Sequence, residues 1–280
     1  MTAGAPSSKA LDVQAYLQRI DYAGDLQPTY AVLEALHLAH ATHIPFENLD
    51  ILLHRPILLD LASLQNKLIK AKRGGYCFEQ NLLFAAALNT IGFSVQQLAA
   101  RVRHGAQRVL PRTHMLLLVS IDSATWLADV GFGAEGLLLP VRFATGQEAR
   151  QFAWTYRVIQ EAGHWLLQSL GKPSWLDLYQ FSLEPQHLID YEMANYYVST
   201  HPDSRFVQTL TAQRLAPDAR HILRNRELSV DSGSTVKRRT LRDDDELLAV
   251  LAETFQLPFA PGTRFPYRDG ALYHNQLEAP

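Results

Sequence analysis

The chain has 280 residues, 47% hydrophobic and 19% charged, with a formal net charge of -2 and a single cysteine. This composition suits a globular protein with a sizeable core; it excludes an internal disulfide, a multi-cysteine zinc site and any bulk electrostatic case for nucleic acid or an anionic membrane. Residues 1–10 lack the apolar core of a secretory leader and no apolar run approaches the ~18 residues that span a bilayer, so a soluble protein of the reducing cytoplasm is expected.

Met1–Ser7 is small and polar and is predicted to be disordered. Ser8–Ile20 reads as an amphipathic helix with Leu11, Tyr16, Leu17 and Ile20 on one face. Thr29 can cap a second helix that runs to about Thr42 and that Pro45 must end. That segment carries His37, His40 and His43. At about 100° per residue, His37 and His43 point about 120° apart, so a regular helix cannot bring all three to one metal; solvated or locally bonded rings are expected. Ile44–Asp50 leaves the helix through a proline, and Glu47 and Asn48 are expected to satisfy backbone groups there.

Leu61–Lys72 is a helical pattern halted by Gly74-Gly75, and Glu79–Thr90 is a largely apolar, buried helix that Gly92 should end. Cys77 therefore falls at a helix N-terminus. Unpaired backbone N–H groups and the positive end of the helix dipole favour thiolate over thiol at that position. A buried cysteine acting as a small hydrophobe is the commoner arrangement, but the glycine turn and the helix start favour a nucleophile. Glu79 and Asn81 are expected to support the helix start, and Arg73 to pair with an acid elsewhere.

From Phe93 the period changes. Val95–Arg103, Thr113–Ile121, Thr125–Val130, Phe152–Gln160, His164–Gln168 and Trp175–Leu183 fit short strands at hairpin spacing, which predicts an antiparallel sheet or barrel. His114 stands near the start of one strand and Asp129 near the end of the next, so a hairpin at Asp122-Ser123-Ala124 can present a carboxylate to an imidazole. Docked against Cys77, the pair would complete a Cys–His–Asp triad. His104 is a competing base, but its Gly-containing loop carries no aspartate-bearing hairpin. Arg108 and Arg112 precede His114 in a loop where a phosphate-bearing donor would want cations. His187–Tyr197 returns to helix. More strands follow, with a Ser232-Gly233-Ser234 turn and the basic run Lys237–Arg239, and Asp243–Phe255 is a last helix with an acidic start.

Arg73-Gly74-Gly75-x-Cys77-x-Glu79-x-Asn81, Ile44-Pro45-Phe46-Glu47-Asn48, Thr113-His114, Asp129-Val130-Gly131-Phe132-Gly133 and the run from Asn195 to Phe206 together resemble the arylamine N-acetyltransferases, in the same order. The resemblance covers about Leu11 to Val250; beyond Leu257 nothing matches. It implies an α+β fold with a cysteine-protease/transglutaminase-like core: an N-terminal helical bundle over 1–92, a central antiparallel β-barrel over 93–186 and a C-terminal α/β lid over 187–280. It also implies ping-pong acetyl transfer from acetyl-coenzyme A, through a thioester on Cys77, to arylamines, arylhydrazines or N-hydroxyarylamines, with His114 as base, Asp129 orienting it, and no metal. The backbone N–H of Cys77 with one from a neighbouring turn is the expected oxyanion donor set. By the same resemblance Phe46, with Phe132 and Phe206, would form an apolar slot for the amine, and Thr113, Tyr197 and Ser204 would contact the coenzyme. Lys237, in the basic run, is a further candidate for its phosphates; a solvated charge run is the alternative there.

The Cys, His, Asp order also occurs in transglutaminase-like enzymes and papain-like ones use a similar Cys–His pair, so a thiol hydrolase is one alternative, and a related amide synthase closing a macrolactam would use identical chemistry at Cys77. A binding protein with a retired site is the third alternative.

Overall fold

The computed structural model describes residues 10–171 and 173–268. The disorder predicted for Met1–Ser7 and the predicted helix start at Ser8 lie outside them. Helix α1 is Val13–Arg19, capped by Asp12, whose side chain accepts from the N–H of Ala15. Helix α2, Tyr30–His43, begins as predicted: Thr29 caps it by accepting from the N–H of Val32, and the extended Ile44 before Pro45 ends it. A two-residue strand β1, Phe46–Glu47, and the single turn α3, Leu49–Leu52, follow.

The regular helix predicted for Leu61–Lys72 is instead the short α4, Leu61–Leu64, running into a π-helical turn at Gln65–Lys70. The widened turn carries Lys67, whose Nζ lies 2.8 Å from Glu79 and 3.0 Å from Asp50.

Helix α5, Cys77–Ile91, is the centre of the molecule. Phe78, Leu83, Phe84, Ala85, Ala87 and Leu88 are fully buried, and each large side chain among them contributes roughly 1.5–3 kcal/mol by leaving water. Gly92 ends the helix in the left-handed region at φ 109°, while the N–H groups of Gly92 and Phe93 both bond back to Leu88.

An antiparallel sheet follows, built from β2 (Ser94–Val102), β3 (Arg112–Ile121), β4 (Ala124–Ala128), β5 (Val141–Arg142), β6 (Glu148–Gln151), β7 (Trp154–Glu161), β8 (His164–Leu170) and β9 (Trp175–Phe181). Its spatial order is β5-β4-β3-β2-β9-β8-β7-β6. A bridge between Thr145 and Val158 brings the ends together, giving a nearly closed barrel. Strand β3 is buried on both faces: Met115, Leu117 and Val119 pack in the core around α5, while Leu116 and Leu118 fill the barrel.

The chain then forms α6 (Leu188–Thr200), α7 (Arg205–Gln208), β10 (Thr211–Leu215), β11 (Arg220–Arg224), β12 (Glu227–Asp231), β13 (Val236–Thr240) and α8 (Asp244–Phe255). The acidic start predicted for α8 is present, with Asp243 as its cap. The second sheet has the order β1-β10-β11-β12-β13, so its first strand comes from the N-terminal third of the chain. A third core lies between this sheet and α8, around Leu210, Leu223, Leu251 and Phe255. The predicted α+β architecture of helices, antiparallel barrel and C-terminal sheet with helices is thus the observed one. No helix among the described residues is long and apolar enough to cross a membrane.

Candidate active site

Cys77 is the first residue of α5, so its N–H is one of the helix's unpaired donors. The turn before it is tightly held. Glu79 reaches back to the N–H of Tyr76 at 3.1 Å, and Gln80 donates from Nε2 to the carbonyl of Pro45 at 2.9 Å. A methyl group on Gly74 would sit 2.1 Å from the carbonyl oxygen of Pro45, so only glycine lets the two segments cross.

The expected acid partners of Arg73 are Glu47 at 2.7 Å and Asp50 at 3.3 Å. With Lys67 and Glu79 they form a buried five-membered charge network beneath the turn. Burial raises the Glu79 pKa and Lys67 only partly offsets it. At Asp50 burial also pushes upward, but Lys67 and Arg73 together hold it below the ordinary value.

His114 is delivered by a bulge. The β2–β3 register passes from Ala100 opposite His114 to Arg101 opposite Arg112, leaving Thr113 as the extra residue. The freed carbonyl of Thr113 accepts from Cys77 Sγ at 3.5 Å. His114 Nε2 donates to Asp129 Oδ2 at 2.7 Å, so the other edge of the ring is the one free for Cys77, which lies near enough to raise the ring's pKa. Burial alone would lower the His114 pKa. The Asp129 charge and hydrogen bond, with Cys77 beside the ring, together outweigh burial and lift it to about 9. Asp129 is pushed up by burial and pulled further down by His114, Asn81 and the N–H of Gly131, so it ends below its ordinary value.

The three predicted reacting side chains are therefore together, each nearly closed to solvent. The return strand stops at Ala128, sooner than the predicted Val130, because the amides beyond it turn to other partners. Asn81 accepts from the N–H of Val130 at 3.1 Å and donates to Asp129 Oδ1 at 2.9 Å and to the carbonyl of Met115 at 2.8 Å. Gly131 comes so close to α5 that a methyl group there would meet Cys77 Cα at 2.8 Å.

Aromatic rings line the approach. Phe132 lies edge-on to His114 with centroids 5.0 Å apart, and Phe46 and Phe206 are 6.0 Å apart. Phe46 borders Gly133, next in sequence to Phe132: a methyl group there would lie 3.5 Å from the Phe46 ring. Asn48 donates to the carbonyls of Phe206 and Thr209, both at 2.7 Å, and so seats the Phe206 segment, while Glu47 accepts from the N–H of Leu49 at 2.6 Å.

The expected coenzyme contacts separate. Thr113 is at the site. Tyr197 is half-exposed on α6 and stacked on His201 at 4.5 Å. Ser204 is buried, donates to the carbonyl of Val198 and caps α7, so its hydroxyl is already engaged. Lys237 is on β13, at the opposite edge of the sheet from Phe46, with three strands between. Arg112 pairs with Glu184 at 3.1 Å. His104 is lowered by burial and sits in the fields of Glu135, Arg224 and Arg205, which include no member of the triad.

Some site residues had no signal in the sequence. Tyr179 packs its ring 4.8 Å from His114; its hydroxyl lies beside Asp129 without the geometry of a hydrogen bond, and burial, then that carboxylate, push its pKa well above 10. The hydroxyl of Tyr76 donates to Asn195, and Asn195 donates to the carbonyl of Ile57 at 2.9 Å, tying α6 to the turn before Cys77. His40 donates from Nε2 to Gln80 at 2.8 Å and accepts from Tyr16 at 2.9 Å. Burial lowers His40 to about 3 and His37 to about 4, so both are neutral. His43 bonds the carbonyl of Ala39 at 2.8 Å and is locally bonded as expected, but His37 and His40 are neither solvated nor locally bonded: both are fully buried and bond segments remote in sequence. Among the described residues no group of three or more His, Cys, Asp or Glu could hold a metal ion.

Comparison with known proteins places this geometry. The family model described as N-acetyltransferase matches residues 29–262. An arylamine N-acetyltransferase of Escherichia coli is 40% identical over 245 residues, covering 86% of this chain and 87% of that one. The structure of the arylamine N-acetyltransferase from M. tuberculosis superposes with a TM-score of 0.86 at 37% identity, over 88% of this chain and 94% of that one. That of the Mycobacterium marinum arylamine N-acetyltransferase in complex with CoA has a TM-score of 0.84 at 34% identity, covering 88% and 93%. The chain belongs to the arylamine N-acetyltransferase family and is an acetyltransferase.

Proposed function

We propose that this chain transfers an acetyl group from acetyl-coenzyme A to the nitrogen of arylamines and arylhydrazines, or to the oxygen of N-hydroxyarylamines, through a thioester on Cys77. The observation that carries the mechanism is the buried Cys77–His114–Asp129 arrangement with the Phe132 ring edge-on to His114. Cys77 sulfur attacks the acetyl carbonyl as thiolate, the carbonyl–sulfur bond to the coenzyme breaks, and the imidazolium of His114 gives its proton to the departing thiol. The amine nitrogen then attacks the acetyl-cysteine, the now neutral His114 takes a proton from that nitrogen, and Cys77 leaves as thiolate. Thioester exchange is nearly balanced and amide formation runs downhill, so these residues need neither ATP nor a metal.

The N–H of Cys77 is the oxyanion donor that the helix start offers. The turn after β4 adds no second one from Asp129, Val130 or Gly131, because all three of those N–H groups are already bonded. Aromatic amines remain neutral near pH 7 and suit a slot of Phe46, Phe132 and Phe206; alkyl amines are protonated and cannot attack. Donor contacts are assigned to the Thr113 loop and Tyr197. Ser204 serves by capping the helix that carries Phe206, and Lys237 is left out of the donor site. A thiol that must stay reduced to react suits the cytoplasm.

The test is to incubate the protein with acetyl-coenzyme A, digest it and weigh the Cys77 peptide. An acetyl adduct discharged by an aromatic amine is expected. Peptide cleavage without an adduct would indicate a thiol hydrolase, and ligand binding without turnover, unchanged in Cys77→Ala, a retired site.

A further inference from the structure

Asp129 stands one residue beyond the end of β4, so the N–H groups of Asp129, Val130 and Gly131 have left the sheet and need other acceptors. Gly131 donates to Asp129 Oδ1 at 2.9 Å and Val130 to Asn81 Oδ1 at 3.1 Å. The N–H of Asp129 itself donates to Nε2 of His37 at 3.1 Å, reaching across from β4 to a fully buried ring on α2.

A ring nitrogen that accepts an N–H carries no proton. His37 is therefore the neutral tautomer protonated at Nδ1, and Nδ1 donates to the carbonyl of Leu138 at 3.0 Å. Its plane is set by Phe84, which it meets edge-on at 5.7 Å. One ring thus fixes both ends of the loop from Asp129 to Leu138, the loop that also carries Phe132.

We propose that His37 is a positioning residue of the acyl transfer: its lone pair at Nε2 anchors the peptide of Asp129 and so aims the carboxylate at His114. This rests on Cys77, His114 and Asp129 being the reacting set. Asn81 and Gly131 hold the carboxylate at Oδ1, and Asn81 holds the N–H of Val130, but His37 alone accepts from the peptide N–H of Asp129. Without His37 the N–H of Asp129 is buried and unpaired, and it swings toward another acceptor, carrying Oδ2 away from His114. An error near one ångström in such a contact costs on the order of 100-fold in rate. His37 touches no reacting atom, so its effect passes through Asp129.

Three substitutions separate positioning from mere packing. His37→Gln places an amide oxygen near the position of Nε2; His37→Asn reaches only the position of Nδ1; His37→Phe keeps the ring against Phe84 and neither hydrogen bond. Single-turnover acetylation of Cys77, KM for acetyl-coenzyme A and the thermal midpoint are measured for each. Acylation roughly 10- to 100-fold slower is expected for the Phe and Asn forms, largely restored by Gln, with KM little changed. Rates that follow the thermal midpoints rather than the acceptor, or a Phe form that acylates like the unaltered protein, overturn the proposal.

Should those variants fail to fold, NMR of isotope-labelled histidines in the unaltered protein decides. His37 protonated at Nδ1 with Nε2 accepting is expected, whereas a proton on Nε2 overturns the role. If the unaltered protein is not acetylated at Cys77 at all, the functional reading falls and this role falls with it, a result distinct from an acetylated protein indifferent to His37.

Discussion

Asp129→Asn changes a single group and, in this site, reverses the direction of a proton. Oδ1 of Asp129 accepts from both Asn81 and Gly131 at 2.9 Å, so the oxygen of the new amide takes that position and its NH2 takes the place of Oδ2. Nε2 of His114 would then face a donor across the present 2.7 Å and can only accept. The ring proton moves to the edge that faces Cys77, and the base is lost. The charge effect adds to this. The rise of His114 from 6.5 to about 9 corresponds to about 3 kcal/mol of preference for the charged ring, and burial, now unopposed by Asp129, turns the preference the other way. Acylation by acetyl-coenzyme A should slow by on the order of ten-thousand-fold, as when a triad aspartate is made asparagine elsewhere. Single-turnover mass spectrometry of Cys77 gives the rate, and its alkylation by iodoacetamide against pH gives the state of the pair. Stability carries the same signature. A folded pKa above the unfolded one gives stability that is full below about pH 6.5 and lost as pH climbs through about 9, and the variant should lack that decline. An Asp129→Asn protein that acylates within about tenfold of the unaltered one would refute the reasoning.

Gly131→Ala puts a methyl group 2.8 Å from Cys77 Cα and 3.0 Å from the Cys77 carbonyl oxygen, both backbone atoms that cannot move aside. It should cost about 1–3 kcal/mol of stability by overpacking and depress acylation further by displacing Asp129, which thermal melts and single-turnover rates would show. Lys67→Met removes a cation held between Asp50 and Glu79 and leaves two buried carboxylates without it. Stability should fall by about 3–5 kcal/mol in urea titrations, and a loss under about 1 kcal/mol would show that the network contributes little. Asp50, held below its ordinary pKa of 3.8 in the native protein, contributes stability that is lost as pH falls through its folded value; with Lys67 gone that acid-side loss should weaken.

Local chemistry made much of the fold legible. Thr29 and Pro45 bound α2 because a cap and a missing donor act on adjacent residues, and Gly92 ends α5 for the same kind of reason. The short continuous apolar run of β3 marks a buried strand, though what covers each face depends on what lies across it. The π-turn at Gln65–Lys70 was not legible, since its carboxylate partners are remote in sequence. Nor was the pairing of β1 with β10, which joins Phe46 to Gln213. Two-residue strands and single-turn helices have too few residues for a period to emerge, which is why β5, α3 and α7 escaped prediction.

The site divides along the same line. Cys77, His114 and Asp129 could be read because a lone thiol at a helix start is poised as thiolate, and a carboxylate closing an apolar run is costly unless paired. The residues that aim them could not be placed, because a hydrogen bond between distant segments leaves no trace at either end. Yet Gln80 and Asn81, polar side chains in an otherwise apolar helix, cannot be buried unpaired without a penalty of about 1–3 kcal/mol each. In the structure Gln80 joins His40 to the carbonyl of Pro45, and Asn81 joins the carbonyl of Met115 to Asp129. Gln80 links the helix of Cys77 to segments that carry no reacting group, whereas Asn81 joins the three elements that carry Cys77, His114 and Asp129. The two amides beside the nucleophile therefore hold the relative placement of α2, α5, β3 and the loop after β4, and an exchange of either for an apolar residue of equal size would free the triad before it unfolded the core.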